Sequence, residues 1–176
     1  IDIIKSNRII NIDAVDYATK MFKTIVNKAK YSSTVTIKDY NYIVQYSNEI
    51  LSQINSDYSK NIYLSYVHGD FKFSHIIVED NNEAKVIDWE TYGRRSLLFD
   101  FFNPLGPWMI HNISTIDNDM KRIYEDIVNQ FEIKIESEFG HEFSNEVFSN
   151  IDLYRNIYHL DRLARIVEIN DIIDTS

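Results

Sequence analysis

Two carboxylates in the middle of the chain, Asp70 and Asp88, have the types and spacing of residues that support phosphoryl transfer. Transfer of a phosphoryl group to a hydroxyl needs a carboxylate that orients the acceptor, a divalent metal ion that neutralises the phosphates, and rigid positioning. Asp70 directly follows His68 and Gly69, a pair that permits a tight, hydrogen-bonded loop. The two carboxylates are therefore the first candidates for acceptor orientation and metal binding.

A β-hairpin between the two carboxylates is the element that would bring them together. His75 to Val78 and Ala84 to Asp88 are short runs rich in β-forming residues, and the polar cluster 79–83 lies between them. Because the strands of a hairpin run antiparallel, the end of the second strand returns to the start of the first. The sequence therefore predicts that Asp88 lies beside the loop that carries Asp70.

Helical periodicity occupies most of the remaining chain. The predicted helices run from Ile12 to about Lys30 with Asp13 as a cap, from Ile37 to about Ser56, from about Asp117 to Phe139 before Gly140, and from Ser144 to about Ile173 as one bent helix or two. Ile62–Val67 is predicted to be extended and Thr91–Pro107 rich in loops, with the apolar stretch Leu97–Phe102 buried. We therefore predict an α+β, mostly helical fold that forms a single domain over residues 1–176.

The composition is that of a folded, acidic protein, with 44% hydrophobic residues and a net charge of −9. This charge argues against general affinity for nucleic acid or anionic lipid, since both need clustered Lys and Arg, and it suits a cationic partner or simple solubility. The absence of cysteine excludes thiolate chemistry and is compatible with the cytoplasm, the predicted location. No apolar run approaches ~18 residues, so no membrane span is predicted. Because the first residue is not Met, we expect that the chain begins inside a longer protein or after processing.

The central motif resembles the aminoglycoside phosphotransferase and choline kinase family and, more distantly, the eukaryotic-like protein kinases. The resemblance rests on His68-Gly69-Asp70, on position 75, and on Ile87-Asp88-Trp89-Glu90 followed by Gly93 and Asp100. It is compact over residues 68–101, and the flanking helices agree with the C-terminal lobe of that family. The resemblance therefore implies a protein-kinase-like C-terminal lobe with a small central hairpin.

The resemblance also implies a role for each residue of the motif. Asp70 would be the catalytic base that orients the acceptor hydroxyl, and Asp88 would bind the Mg²⁺ that bridges the nucleotide phosphates. His68 would brace the loop through hydrogen bonds, and Asp100 would be a buried acid that holds its backbone. Lys72 stands where protein kinases place a lysine near the transferred phosphate. The implied reaction transfers phosphate from ATP to a hydroxyl of an aminoglycoside, a choline-like amine or a sugar.

Three features depart from the family pattern. His75 occupies a metal- and cofactor-binding position where the family has asparagine, and imidazole is a poor ligand for Mg²⁺. Arg95 stands where the family often has a second glycine. The residues before His68 are filled by two predicted helices, so the nucleotide-binding N-terminal lobe is absent from this chain and is expected elsewhere in the parent protein.

Two other functions compete with the phosphotransferase. His75 and the missing lobe favour a catalytically degenerate, pseudokinase-like binding module. A metal-dependent hydrolase would instead use His68, Asp70, His75 and Asp88 around a transition metal.

The acids of the last helix are predicted to form a solvated face. They are Asp161, Glu168, Asp171 and Asp174. In the resembled family this region lines the acceptor site, which implies attraction for a cationic acceptor.

Overall fold

The computed structural model describes residues 9–56, 60–80, 83–105 and 118–173. The helices in these ranges are α1 (Ala14–Tyr31), α2 (Ile37–Ser56), α3 (Phe99–Phe102), α4 (Asn118–Phe139), α5 (His141–Phe148) and α6 (Ile151–Ile173). The strands are β1 (Ile10–Asp13), β2 (Asn61–Val67), β3 (Ile76–Val78), β4 (Ala84–Val86) and β5 (Gly93–Ser96). Short 3₁₀ helices cover Phe73–His75, Trp89–Thr91 and Asn103–Leu105. The predicted mostly helical α+β class is confirmed.

The chain groups into two compact units. The first comprises Ile1–Tyr66, Arg94–Leu98 and Asp152–Ser176, and the second comprises Val67–Gly93 and Phe99–Ile151. All six residues predicted for the functional site belong to the second unit. The single domain over residues 1–176 stays a prediction.

The first unit is built on the packing of α1 against α2 and on a sheet in which β2 lies between β1 and β5. The Asp13 carboxylate accepts a hydrogen bond of 2.7 Å from the Asp16 N–H, so the predicted cap of α1 is confirmed. This bond satisfies one of the N–H groups that the first turn of a helix leaves without a partner. Ile12 pairs with Ile62 in the antiparallel ladder of β1 and β2.

Helix α6 also belongs to the first unit, and it corrects one prediction. Asp161 is 3% exposed, although the sequence predicted a solvated acid. It follows the buried Tyr154 and Tyr158 on one helical face, and it is compensated there by Arg95 and Tyr17. Glu168 and Asp171 have no described side chains, and Asp174 lies outside the described residues.

The second unit contains the predicted hairpin, which is confirmed. Strands β3 and β4 are antiparallel, and Ile76 pairs with Val86. Both strands are shorter than predicted, because His75 belongs to the preceding 3₁₀ turn and the chain leaves the ladder after Val86. The Ile87 N–H still donates to the His75 carbonyl at 3.0 Å, so the hairpin closes beside the predicted site.

The core of the second unit is aromatic. The Phe101 ring on α3 lies 5.1 Å from the Phe131 ring on α4, and Phe131 lies 6.4 Å from Phe148 on α5. Apart from Asp100, which is partly buried, the stretch Leu97–Phe102 is buried as predicted.

The region from Ser144 to about Ile173, which the sequence predicted as one bent helix or two, forms two helices, α5 and α6, of which α5 begins three residues earlier, at His141. Gly140 separates α4 from α5 with a positive φ of 91°, and α4 ends at Phe139 as predicted. Within the described part of the chain, no helix combines the length and the apolar character that crossing a bilayer requires.

Candidate functional site

One carboxylate fixes the backbone of the loop that carries Asp70. Asp100 Oδ2 accepts from the His68 N–H at 2.5 Å, and Asp100 Oδ1 accepts from the Gly69 N–H at 2.8 Å. Gly69 has a φ of 84°, a conformation that glycine adopts without steric cost. Asp100 thus lies where the resemblance implied, although it is partly rather than fully buried.

His68 braces the same loop through both of its ring nitrogens. Its Nε2 lies 2.7 Å from the Ile87 carbonyl, which can only accept, so Nε2 is the donor. Its Nδ1 accepts from the Asp70 N–H at 3.3 Å. With a side chain that is 2% exposed and both nitrogens engaged, His68 positions the loop and is not available as a metal ligand. The four-ligand set of the hydrolase hypothesis therefore loses one member.

Further contacts, which the sequence did not predict, also hold the loop. The Thr91 hydroxyl donates to the His68 carbonyl at 2.8 Å, and the Asn103 amide donates to the Phe71 carbonyl at 2.9 Å. The Trp89 ring lies 4.7 Å from the His68 ring. Asn103 is 7% exposed and follows the apolar run 97–102, so a polar residue at the end of a buried stretch was a usable signal. Thr91 offered no such signal, because it does not border an apolar stretch.

Asp70 and Lys72 form an ion pair on this loop. Lys72 Nζ lies 2.7 Å from Asp70 Oδ2, with the lysine side chain 51% exposed and the aspartate side chain 21% exposed. The structure therefore places the predicted cation directly against the predicted base. The aspartate side chain remains partly exposed.

Asp88 sits on a strained backbone. It is the only non-glycine residue in the described ranges with a positive φ, at φ 65° and ψ 57°. This left-handed conformation is uncommon for residues with a side chain, although Asp and Asn tolerate it better than most. The Trp89 indole N–H donates to the Val86 carbonyl at 2.8 Å and helps to hold the turn that follows β4. The turn presents the Asp88 side chain, 43% exposed, beside His75.

His75 joins the two carboxylates. Its Nε2 lies 3.3 Å from Asp88 Oδ2, and its side chain is 14% exposed. Nδ1 is buried and makes no hydrogen bond to the described residues. One ligand atom each from Asp70, His75 and Asp88 lies within 4.8 Å of the others. The predicted approach of Asp88 to Asp70 is therefore confirmed, and His75 is part of the same cluster.

The cluster offers two kinds of donor atom to a metal ion. The carboxylates of Asp70 and Asp88 fit Mg²⁺, which binds through oxygen and retains water ligands. The imidazole nitrogen of His75 does not fit Mg²⁺ and suits first-row transition metals better. The positions of Asp88 and His75 are set by the hairpin, whereas that of Asp70 is set by the braced loop.

Comparisons with protein-family models, with curated proteins and with solved structures gave no match for this chain. A functional interpretation therefore rests on the residues and their geometry.

Proposed function

We propose that the chain is the acceptor-binding and catalytic-loop lobe of an ATP-dependent phosphotransferase with a protein-kinase-like fold. Its acceptor is a hydroxyl of a small molecule such as an aminoglycoside, a choline-like amine or a sugar. The observation that carries the proposal is the convergence of Asp70 and Asp88 with His75 to within 4.8 Å. Phosphoryl transfer requires a base and a metal-binding acid held on a rigid support.

Asp70 acts in this proposal as the base that orients the acceptor. Its carboxylate is accessible, and its backbone N–H is tied to His68 Nδ1, so the position of the residue is defined. Lys72 Nζ, at 2.7 Å from Asp70 Oδ2, adds a cation beside this carboxylate. These two residues would handle the proton and the charge of the acceptor step.

Asp88 acts as the ligand of the nucleotide-bound metal. A divalent ion held by Asp88 would neutralise the charge of the ATP phosphates. The Asp88 carboxylate contacts His75 Nε2 at 3.3 Å, which directs it towards the cluster and favours the positioning that such transfer needs. The lobe that clamps the nucleotide is proposed to be a further part of the parent protein.

The proposal is tested on the full-length gene product by measuring metal-dependent ATP consumption, with Mg²⁺ and separately with Mn²⁺, and with a panel of hydroxylated acceptors. Asp70→Asn is expected to lower kcat by about 10²–10⁴-fold, because proton transfer by a positioned group contributes that much. Asp80→Asn, at an exposed acid in the turn of the hairpin, is the matched control and should leave the rate unchanged. ATP consumption that is indifferent to Asp70→Asn would contradict the role of Asp70.

A binding module without catalysis is the second candidate. It is favoured by His75, which supplies a nitrogen where Mg²⁺ needs oxygen, and by the Lys72 ammonium group that already occupies Asp70. Calorimetric titration with ATP and Mg²⁺ separates the two candidates. Tight binding of the metal–nucleotide complex would count against the binding module.

A further inference from the structure

We infer that Asp70, His75 and Asp88 form a binding site for a divalent transition-metal ion of the Mn²⁺ to Zn²⁺ series, in preference to Mg²⁺. The inference deepens the proposed function and rests on it only for its catalytic meaning. It describes the site without acceptor, where Asp70 has no acceptor proton to take. Metal binding itself is measurable without nucleotide, acceptor or turnover.

The donor atoms favour such an ion. Mg²⁺ takes oxygen ligands in near-octahedral geometry and releases its water reluctantly. An imidazole nitrogen instead raises affinity along the series from Mn²⁺ towards Zn²⁺. One nitrogen and two carboxylate oxygens make a mixed set that suits these ions, and three protein ligands leave positions open for water or a phosphate oxygen.

The spacing of His75 and Asp88 already matches that of neighbouring metal ligands. Two donors that each lie ~2.1 Å from one ion, at a tetrahedral or right angle, are about 3.0–3.4 Å apart. His75 Nε2 and Asp88 Oδ2 are 3.3 Å apart. Asp70, whose ligand atom lies within 4.8 Å of both, supplies the third ligand.

The backbone of His75 is held in position before any ion binds. The backbone N–H of His75 donates to the Lys72 carbonyl at 2.9 Å, and the backbone carbonyl of His75 accepts from the Ile87 N–H at 3.0 Å. The His68 ring lies 5.7 Å from the His75 ring, and Nε2 is the only ring nitrogen of His75 with a polar neighbour among the described residues. A ligand that is already oriented loses little freedom on binding, which favours affinity.

Lys72 competes with the ion for Asp70. The ammonium group lies 2.7 Å from Asp70 Oδ2, so an incoming cation must displace it from that oxygen. Replacing Lys72 with a neutral side chain of similar length therefore removes a competitor. Lys72→Met should raise the affinity for Mn²⁺ several-fold if Asp70 is a ligand, because loss of the lysine's positive charge also makes the site more attractive to a cation.

The test titrates chelator-stripped protein separately with Mn²⁺, Zn²⁺ and Mg²⁺ by calorimetry. The wild type is expected to bind one Mn²⁺ or Zn²⁺ at least about tenfold more tightly than Mg²⁺. His75→Asn should lower the Mn²⁺ and Zn²⁺ affinities at least about tenfold and leave the Mg²⁺ affinity equal or higher. His141→Asn replaces an exposed histidine that pairs with Glu136 outside the cluster, and it should change none of these values.

A spectroscopic readout identifies the nitrogen ligand directly. Pulsed electron paramagnetic resonance of bound Mn²⁺ should show ¹⁴N modulation in the wild type and in His141→Asn but not in His75→Asn. Circular dichroism establishes that each variant is folded, and His75→Gln replaces His75→Asn if the latter is not.

Equal affinity for Mg²⁺ and Mn²⁺, or retention of the ¹⁴N signal without His75, would overturn the inference. Metal selectivity combined with no phosphoryl transfer would contradict the proposed function and leave the inference standing.

Discussion

Asp100 joins two successive N–H groups of the loop to one carboxylate. Asparagine in its place keeps one acceptor oxygen and turns an NH₂ group towards the second N–H. We expect Asp100→Asn to lower the free energy of unfolding by roughly 1.5–3 kcal/mol, the range for hydrogen bonds to charged groups. Urea unfolding followed by circular dichroism measures this change.

Asp152→Asn is the matched control for Asp100→Asn. The Asp152 side chain is 81% exposed and pairs with Arg155 at the surface, so its replacement should shift stability by less than about 1 kcal/mol. Equal losses in the two variants would show that Asp100 does not hold the loop.

The residue types and spacing of the motif were enough to predict which side chains meet. Asp70 and Asp88 meet because a short hairpin lies between them, and hairpin pairing can be predicted from local sequence. Asp161 was wrongly predicted to be solvated, because the partners that compensate its charge, Tyr17 and Arg95, are distant along the chain. Helical periodicity cannot reveal that an acid on the inward face has a cationic partner from a distant part of the chain.

At the scale of elements, Gly140 permits the change from α4 to α5. Its φ of 91° and ψ of 162° belong to a region that only glycine enters readily, and a Cβ there would meet no atom within 4 Å. The cost of a side chain at this position is therefore purely conformational. We expect Gly140→Ala to reduce the free energy of unfolding by roughly 1–3 kcal/mol, as measured by thermal and urea unfolding.

Gly93→Ala provides the comparison for Gly140→Ala. Gly93 does not have a positive φ, and an added Cβ would meet only the Thr91 carbonyl at 3.8 Å, an ordinary contact. Its replacement should be neutral or slightly stabilising, because alanine restricts the unfolded chain. A loss at Gly93 as large as the loss at Gly140 would refute the conformational explanation.

Long elements were predictable and short ones were not. Helices α1, α2 and α4 lie within two residues of their predicted bounds, because apolar periodicity over many residues is a strong signal. Strands β1 and β5 were missed, since each has four residues and owes its conformation to pairing within a sheet. The sequence Gly-Arg-Arg-Ser of β5 has no strand-like pattern.

At the scale of the whole molecule, Asp161 is expected to make stability depend on pH. Burial raises the pKa of Asp161 to about 6 from an ordinary value of 3.8. Arg95, the Tyr17 hydroxyl and Arg165 each lower this pKa, but they offset the effect of burial only in part. Burial likewise raises the pKa of Tyr17, which therefore stays a neutral donor. Between pH 4 and pH 6 the folded chain keeps a proton that the unfolded chain has lost. This contribution to stability is complete below pH 4 and disappears as pH rises through about 6.

Urea unfolding of the wild type and of Asp161→Asn at pH 4.5 and pH 7 measures this effect. The wild type should lose roughly 2 kcal/mol more stability than the variant between these two values, because only the wild type releases the proton. All other carboxylates are common to both proteins and cancel in the comparison. Parallel losses would show that Asp161 titrates normally in the folded chain.

The left-handed backbone at Asp88 also limits which substitutions position 88 can accept. Single-base changes in an aspartate codon lead to Asn, Gly, Ala, Val, Tyr, His or Glu, and among these Gly and Asn adopt that conformation most readily. Both remove the carboxylate and leave the turn intact. A lineage can therefore lose this proposed metal ligand in one step without losing the fold.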